Sequence, residues 1–364
     1  MGYLETLQSH NARLSTLVDK ANSLPEAGGG GGDDVAKSIV ERTITSYSDI
    51  EVTTVGGYAF VGCNKMTSAN VPSATTLGNY AFSACSELSF VNMPLVTSVG
   101  QYAFNTCTSL ETITGNSVTS LGNYAFAGCS ALASVNFLAL KSVGQYAFQN
   151  CTSLTEFDGS AVTTVGTYAF TGCSSLASLD LTSATSVGAY AFNGCPASHI
   201  SLPNLRSMTS GAFRGSRFVS VDLPNVTNVA NNAFRAQGYI KSVTFPKATS
   251  TSSEAMRNCS ALEYVDFPVL TAFGTYTFQD CAKLATLILR TTSKVVPLGN
   301  ANILGNTAIS AGNGHVYLPG SMVSGYQTAA NWNTIHSTYP YTFRALEDYT
   351  VDGTITGALD ESKI

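Results

Sequence analysis

The nine cysteines are the most reactive side chains in this sequence, and their spacing decides what they can do. They fall in one column, three residues after a recurring Phe or Met: Cys63, Cys85, Cys107, Cys129, Cys151, Cys173, Cys195, Cys259 and Cys281. A metal site needs ligands clustered at short spacings, and no Cys-x-x-Cys pair occurs. Nine thiols in one column leave an odd one over and no obvious disulfide pairing. The spacing reads instead as a ladder of small buried thiols, reduced as in a cytosol. The four histidines, His10, His199, His315 and His336, have no partners at informative spacing. Gly28 to Gly32 lacks the Lys-Ser/Thr that follows a phosphate-binding loop, and no nucleophile elbow is present. No catalytic site, metal site or cofactor is expected, and the chain is not expected to be an enzyme.

Binding chemistry is better represented, in three columns. Tyrosine stands two residues before the Phe at Tyr58, Tyr80, Tyr102, Tyr124, Tyr146, Tyr168, Tyr190 and Tyr276. Stacked rings stabilise neighbouring repeats, and an aromatic stripe with hydroxyls also suits a glycan, with Tyr102, Tyr124 and Tyr146 at its centre. A second column holds Asn92, Thr114, Asn136, Asp158, Asp180, Asp222 and Asp266, with Glu156 alongside. This is a solvated strand face, and Glu156, Asp158 and Asp180 are candidates for a cation or polar ligand. In the third column Arg214, Arg235 and Arg257 align one residue after the Phe or Met, with Arg206 and Arg217 close by. Guanidinium forks match the phosphates or carboxylates of an anionic envelope polymer. Glu254 offers the alternative, an acidic neighbour that offsets them.

These columns exist because the chain repeats. Ala-Phe recurs at Phe60, Phe82, Phe104, Phe126, Phe148, Phe170 and Phe192, a period of 22 residues, and continues at Phe213, Phe234, Met256 and Phe278 with two steps of 21. Such a period is that of leucine-rich repeats, whose units bury their apolar faces only by stacking. In one unit, Leu88, Val91 and Met93 alternate with polar residues as a half-buried strand, and Pro94 ends it. A Gly column follows (Gly56, Gly78, Gly100, Gly122, Gly144, Gly166, Gly188, Gly274), read as a tight turn needing unusual dihedrals. The Ala-Phe segment is expected to form one short helical turn whose Phe plugs the core. The fold class is thus a repeat solenoid, strand-rich α/β, of about eleven coils. At roughly 4.8 Å per coil this gives a rod or arc on the order of 50 Å.

The two ends depart from the repeat. Residues 1–27 carry a heptad pattern, with Leu4, Asn11 and Val18 at a and Leu7, Leu14 and Ala21 at d. It reads as a coiled-coil-like oligomerisation helix, trimer preferred, or as an amphipathic helix packed on its own solenoid. Residues 28–34 form a Gly-rich tether. Residues 35–295 hold the solenoid, beginning with a strand-rich cap (Ile39, Val40, Ile44, Tyr47, Ile50, Val52). Residues 296–340 form a second cap, with His315 to Pro319 as the last strand and Ser321 to Ile335 as a helix. Residues 341–364 are a polar tail.

The unit Gly-x-Tyr-Ala-Phe-x-x-Cys-x-x-Leu, followed by alternating apolar residues and Pro, resembles the BspA-type leucine-rich repeats of bacteria over roughly residues 50–295. The resemblance implies binding rather than catalysis, and many family members are secreted or wall-anchored adhesins. From its ends neither an export signal nor a wall-sorting tail is expected. Its N-terminal helix, with the Leu-Pro-Glu-Ala-Gly ending at Leu24 to Gly28, and the tail from Asp348 to Thr354 resemble those of repeat proteins in bacteriophage and prophage structural regions. Charged residues are only 11% and the formal net charge is −5, which leaves no electrostatic footprint for nucleic acid or anionic membrane. No stretch approaches the ~18 apolar residues of a membrane span. The expectation is a phage tail or head appendage, made in the cytoplasm and displayed on the virion or particle surface, that binds protein, glycan or anionic polymer. The alternatives are a bacterial surface adhesin and an intracellular scaffold.

Overall fold

In the computed structural model, residues 39, 41–298, 300, 302–338 and 342–346 are described. The heptad residues Leu4, Leu7, Asn11, Leu14 and Val18, the Gly tether and residues 347–364 lie outside them. Each regular coil holds a three-residue strand, a two-residue strand and a turn segment. The first strands build a parallel sheet from Ser46–Ser48 through Ser68–Asn70, Phe90–Asn92 and Thr112–Thr114 to Ser134–Asn136. Two pairs follow, Glu156–Asp158 with Ser178–Asp180 and His199–Ser201 with Ser220–Asp222. A last sheet of five runs from Ser242–Thr244 to Phe343–Ala345. The second strands form a seven-stranded parallel sheet from Thr54–Val55 to Ser186–Val187, then a separate pair, Asn228–Val229 with Ser250–Thr251. Register follows the repeat, with Ser46 opposite Ser68 and Ile200 opposite Val221, so the solenoid of about eleven coils forms as expected.

The core is one stack. Phe82, Phe104, Phe126, Phe148, Phe170 and Phe192 are fully buried, and successive rings stack with centroids 5.1 to 5.8 Å apart. Bulk is shared between coils. Phe137 lies over Gly115, where an added Cβ would stand 3.2 Å from its ring, and Gly159 leaves room for Phe157.

The turn segment is not a helical turn. Ala59, Val61 and Cys63 donate their N–H to the carbonyls of Gly56, Tyr58 and Phe60, three overlapping turns within the coil. The alternate N–H groups of Tyr58, Phe60 and Gly62 donate instead to Asn79, Ala81 and Ser83 of the next coil. Half of the bonds thus close the coil and half join it to its neighbour, which leaves no donor in this buried run unmade. The pattern needs left-handed residues, and the tyrosines supply them: Tyr58, Tyr80, Tyr102, Tyr124, Tyr146, Tyr168, Tyr190 and Tyr276 all have φ between 55° and 64°.

The Gly column serves a different purpose from the one expected. None of Gly78, Gly100, Gly122, Gly144, Gly166 or Gly188 has a positive φ. A Cβ on Gly122 would stand 2.6 Å from Gln101 N and 2.7 Å from Gly100 C of the preceding coil. The column is required by close approach of successive backbones. Gly56, in the first coil, would meet nothing within 4 Å. Where Thr209 and Ala230 replace the glycine, the seven-stranded sheet stops.

The ends correct three expectations. The last strand is Phe343–Ala345, parallel to His315–Leu318, so residues 342–346 belong to the fold rather than to a polar tail. The closing helix is broken into a 3-10 turn, Gly320–Met322, and two helices, α1 (Val323–Thr328) and α2 (Trp332–Thr338), because Ala329 is extended. The break lets Trp332 and Tyr326 clamp one residue: Trp332 Nε1 donates to the Val296 carbonyl at 2.8 Å, and Val296 N–H donates to the Tyr326 hydroxyl at 2.9 Å. At the other end Ile44 is buried and Tyr47 lies 4.6 Å from Phe60, but Ile50 is 68% exposed.

Candidate functional site

All nine cysteines are buried and unpaired with one another. From Cys85 to Cys173, each thiol donates to the carbonyl oxygen of the Phe 25 residues earlier, at 3.0 to 3.2 Å. Burial pushes the Cys63 and Cys195 thiols up to about 11 and those of Cys107, Cys129 and Cys151 well above the ordinary range. Thiols so held are hydrogen-bond donors, not nucleophiles.

The tyrosine stripe forms, and its rings cover one another. From Tyr58 to Tyr190, successive rings stack at 4.5 to 5.0 Å and within 14° of parallel. Both faces of Tyr102, Tyr124 and Tyr146 are taken by neighbours, so a sugar could reach ring edges and hydroxyls but not stack on them. Burial, then the flanking Tyr102 and Tyr146, push the Tyr124 phenol up. The stack ends at Gly211, where a Cβ would stand 2.6 Å from the Tyr190 ring. Arg214 covers that ring, with its guanidinium carbon 5.8 Å from the centroid.

The other two arginines are held by acids. Arg235 lies 2.7 Å from Glu254 Oε2, Arg257 lies 3.2 Å from Oε1 of the same residue, and Arg257 also reaches Asp280 at 3.5 Å. Glu254 occupies the left-handed position where other coils have tyrosine, with φ 55°. The column is therefore a ladder of alternating charge, the alternative that Glu254 offered in the sequence.

The strand face brings Glu156, Asp158 and Asp180 together around a shallow depression of about 320 Å³, with Val135, Phe157 and Ser178. Asp158 accepts the Ser160 N–H and Asp180 the Thr182 N–H, both at 3.0 Å. The Ser160 N–H holds the Asp158 carboxyl below its usual range. Among the described residues no group of three or more His, Cys, Asp or Glu side chains could hold a metal ion. Asp266 departs from the solvated column: it is 6% exposed and gripped by Arg290, whose Nη2 lies 2.9 Å from Oδ2 and whose Nε lies 3.2 Å from Oδ1.

A second depression, of about 300 Å³, lies on the same face between Ser220–Asp222 and Ser242–Thr244, walled by Pro224, Pro246 and Tyr264. The sequence reading missed it. Its signal was Tyr264, at a strand position where five other coils carry Ser68, Ser134, Ser178, Ser220 or Ser242 and the rest include Phe90, Thr112, Glu156 and His199. Both depressions fall where the first-strand ladder breaks. At each break the inward residue loses cover: Val135, Leu179 and Val221 are half-buried, while Val91, Ile113 and Val243 are buried. No helix among the described residues is long and apolar enough to cross a membrane.

No curated protein matches the chain. A leucine-rich-repeat protein from Bacteroides ovatus shares the fold, with 18% identity over 81% of this chain and 87% of that one and a TM-score of 0.52. A leucine-rich cell surface protein from Faecalibacterium prausnitzii is 22% identical over 77% of this chain and 83% of that one, with a TM-score of 0.43. A T. pallidum leucine-rich-repeat protein is 28% identical over 42% and 76%, with a TM-score of 0.39. The family model described as the BspA type leucine rich repeat region matches residues 53–177 and 163–285, with six copies. The stacked Ala-Phe-x-x-Cys coils and this match agree, and the chain belongs to the BspA-type leucine-rich-repeat family.

Proposed function

We propose that this chain is a non-enzymatic adhesion protein that meets its partner at a cell surface through the outer face of the first strands. The observation that carries the reading is the pair of depressions on that face, each opening onto a half-buried core residue, Val135 or Val221. The buried thiols are quenched by carbonyls, an arrangement suited to presentation rather than to chemistry. Family membership supports binding, and the displayed surface follows from the resemblance to secreted and wall-anchored adhesins. The test is adhesion of the full chain to host cells and immobilised matrix proteins. A variant with Asp158→Lys and Asp180→Lys should lose binding while keeping its circular dichroism; undiminished binding overturns the assignment to this face.

A finer reading places the protein on a bacteriophage or prophage particle. It rests on the segments at 1–28 and 348–354, which lie outside the described residues. Neighbouring tail and baseplate genes would support it, and wall-anchoring machinery would overturn it. The same segment carries the oligomer proposal. The full chain should exceed monomer mass in light scattering, trimer preferred, and deletion of residues 1–32 should reduce it to monomer; an unchanged mass refutes this. An anionic polymer is the partner proposed for Arg214, Arg235 and Arg257. Only Arg214 has no acidic partner among the described residues, so such binding would rest mainly on it.

A further inference from the structure

We propose that the depression between Ser220–Asp222 and Ser242–Thr244 is a subsite for one neutral pyranose ring, with Tyr264 as its platform. This rests on the reading of the strand face as the binding face and names the ligand class for one part of it.

The argument begins with the break in the sheet. The strands His199–Ser201 and Ser220–Asp222 pair with each other, and Ser242–Thr244 begins the next sheet. In the coils on either side the residue after the strand donates to the next coil: Leu202 N–H to the Asp222 carbonyl at 2.9 Å, and Phe245 N–H to the Asp266 carbonyl at 3.1 Å. At Leu223 that bond is missing from the ladder. The strands part, and Val221, half-buried, becomes an apolar floor. The opening, at about 300 Å³, has the size of a small ligand site.

The groups around that floor suit a sugar. Asp222 is exposed, and its Oδ2 accepts the Ser201 hydroxyl at 2.9 Å, which orients the carboxylate and leaves Oδ1 as an acceptor. The Ser242 and Thr244 side chains are exposed on the adjacent strand. Ser220 Oγ is fixed 2.8 Å from His199 Nδ1. A pyranose presents a ring of hydroxyls that need such donors and acceptors, and a C–H face that needs an aromatic surface. Tyr264 supplies the surface.

Tyr264 is pre-organised. It lines the depression and also packs against a small apolar cluster of Ile288, Tyr317 and Leu346 on the solvent side of the last sheet. Two residues on, Asp266 is clamped by Arg290. A ring fixed in this way loses little entropy when a ligand lands on it. The tyrosine stripe provides no equivalent, since its rings cover one another. The depression at Glu156, Asp158 and Asp180 has three carboxylates and no exposed aromatic, so it does not share this chemistry.

The experiment is saturation-transfer NMR of the full chain with methyl glucoside, methyl galactoside and N-acetylglucosamine, each at millimolar concentration. At least one sugar should show transfer to its ring C–H protons. Tyr264→Ala should weaken binding at least about tenfold, roughly 1.4 kcal/mol. Asp222→Ala, which removes an exposed carboxylate, should do the same without loss of circular dichroism. Asp158→Ala should leave sugar binding unchanged. Absence of transfer from all three sugars, or transfer that survives Asp222→Ala, overturns the proposal. Adhesion that depends on Asp158 and Asp180 while no sugar binds would sink this subsite alone. Sugar binding by a chain whose adhesion ignores Asp158 and Asp180 would sink the wider reading and keep the subsite.

Discussion

Gln237 Nε2 donates to the Phe213 carbonyl oxygen at 2.6 Å, the bond that Cys259 Sγ makes to Phe234 at 3.1 Å one coil later. The cysteine column is lost here in sequence but kept in function, as a buried donor to the Phe carbonyl of the coil before. Ser216, the other residue in the gap, donates to the same Phe213 oxygen at 2.8 Å. Either side chain can serve that carbonyl. Gln237→Leu and Ser216→Ala should each cost no more than about 1 kcal/mol, while the double variant should lose about 1–3 kcal/mol, because the buried Phe213 oxygen then keeps only the long bond from the Ser216 backbone N–H, at 3.3 Å. Urea unfolding of the four proteins checks this; strict additivity would show that the two donors act separately.

The Gly column gives a contrast between two identical substitutions. Gly122→Ala drives a Cβ to 2.6 Å from Gln101 N and should cost about 1–3 kcal/mol, as overpacking does. Gly56→Ala meets nothing within 4 Å and should stabilise by about 0.4–1 kcal/mol through the unfolded chain. Thermal melts of both variants decide it. Equal losses would mean that the column answers to backbone conformation after all.

The thiol ladder predicts alkaline instability. Burial raises the thiol pKa values of the folded chain above the ordinary 9.0, to about 11 at Cys63 and Cys195 and higher between them. The unfolded chain then releases protons first. Stability is complete below about pH 9 and falls as pH rises through the window between unfolded and folded values. Cys129→Ser keeps a donor and removes one titrating group, so the slope of stability against pH should flatten by about 1.4 kcal/mol per pH unit. Denaturant titrations on both sides of pH 9 supply the measurement. An unchanged slope would show that this thiol ionises equally in both states.

Glu254 sets the charge of the arginine column. Glu254→Gln removes the carboxylate that both Arg235 and Arg257 approach. The ion pairs are partly exposed, so stability should fall by no more than about 1 kcal/mol. Retention on an anionic resin should rise, and the gain should vanish at high salt. Unchanged retention would mean that the guanidinium groups are out of reach of a polyanion in either form.

The solenoid, its period and its core columns were legible because each unit repeats the same constraint eleven times. Phe104, Leu110 and Cys107 are buried as the period requires. The backbone between them was not legible. A tyrosine at positive φ is unfavourable alone, so sequence logic assigned the unusual dihedral to Gly122, when stacking at 4.5 Å holds Tyr124 there instead. The Glu254 ladder was visible, since acid and base lay at informative positions. The depression at Val221 was not, because a missing bond at Leu223 leaves no mark in one sequence. Tyr264 was a weak clue, since its column is mixed and holds Phe90, Thr112, Glu156 and His199 beside the serines.

The one-way hydrogen bonds of the turn segments give that edge of the solenoid an electrical polarity. In coil after coil the N–H groups of the tyrosine and phenylalanine point toward the C-terminal end, and the carbonyls that receive them point back toward the N-terminal end. Peptide dipoles aligned along one line add, as they do in a helix. The N-terminal end of this line is therefore partially negative, since among the described residues no backbone N–H donates to the carbonyls of Gly57, Ala59 and Val61. Arg42 places its guanidinium at that end, 3.3 Å from where a Cβ of Gly62 would stand. A terminal cation thus does for a stack of coils what a lysine or arginine does in the last turn of a helix.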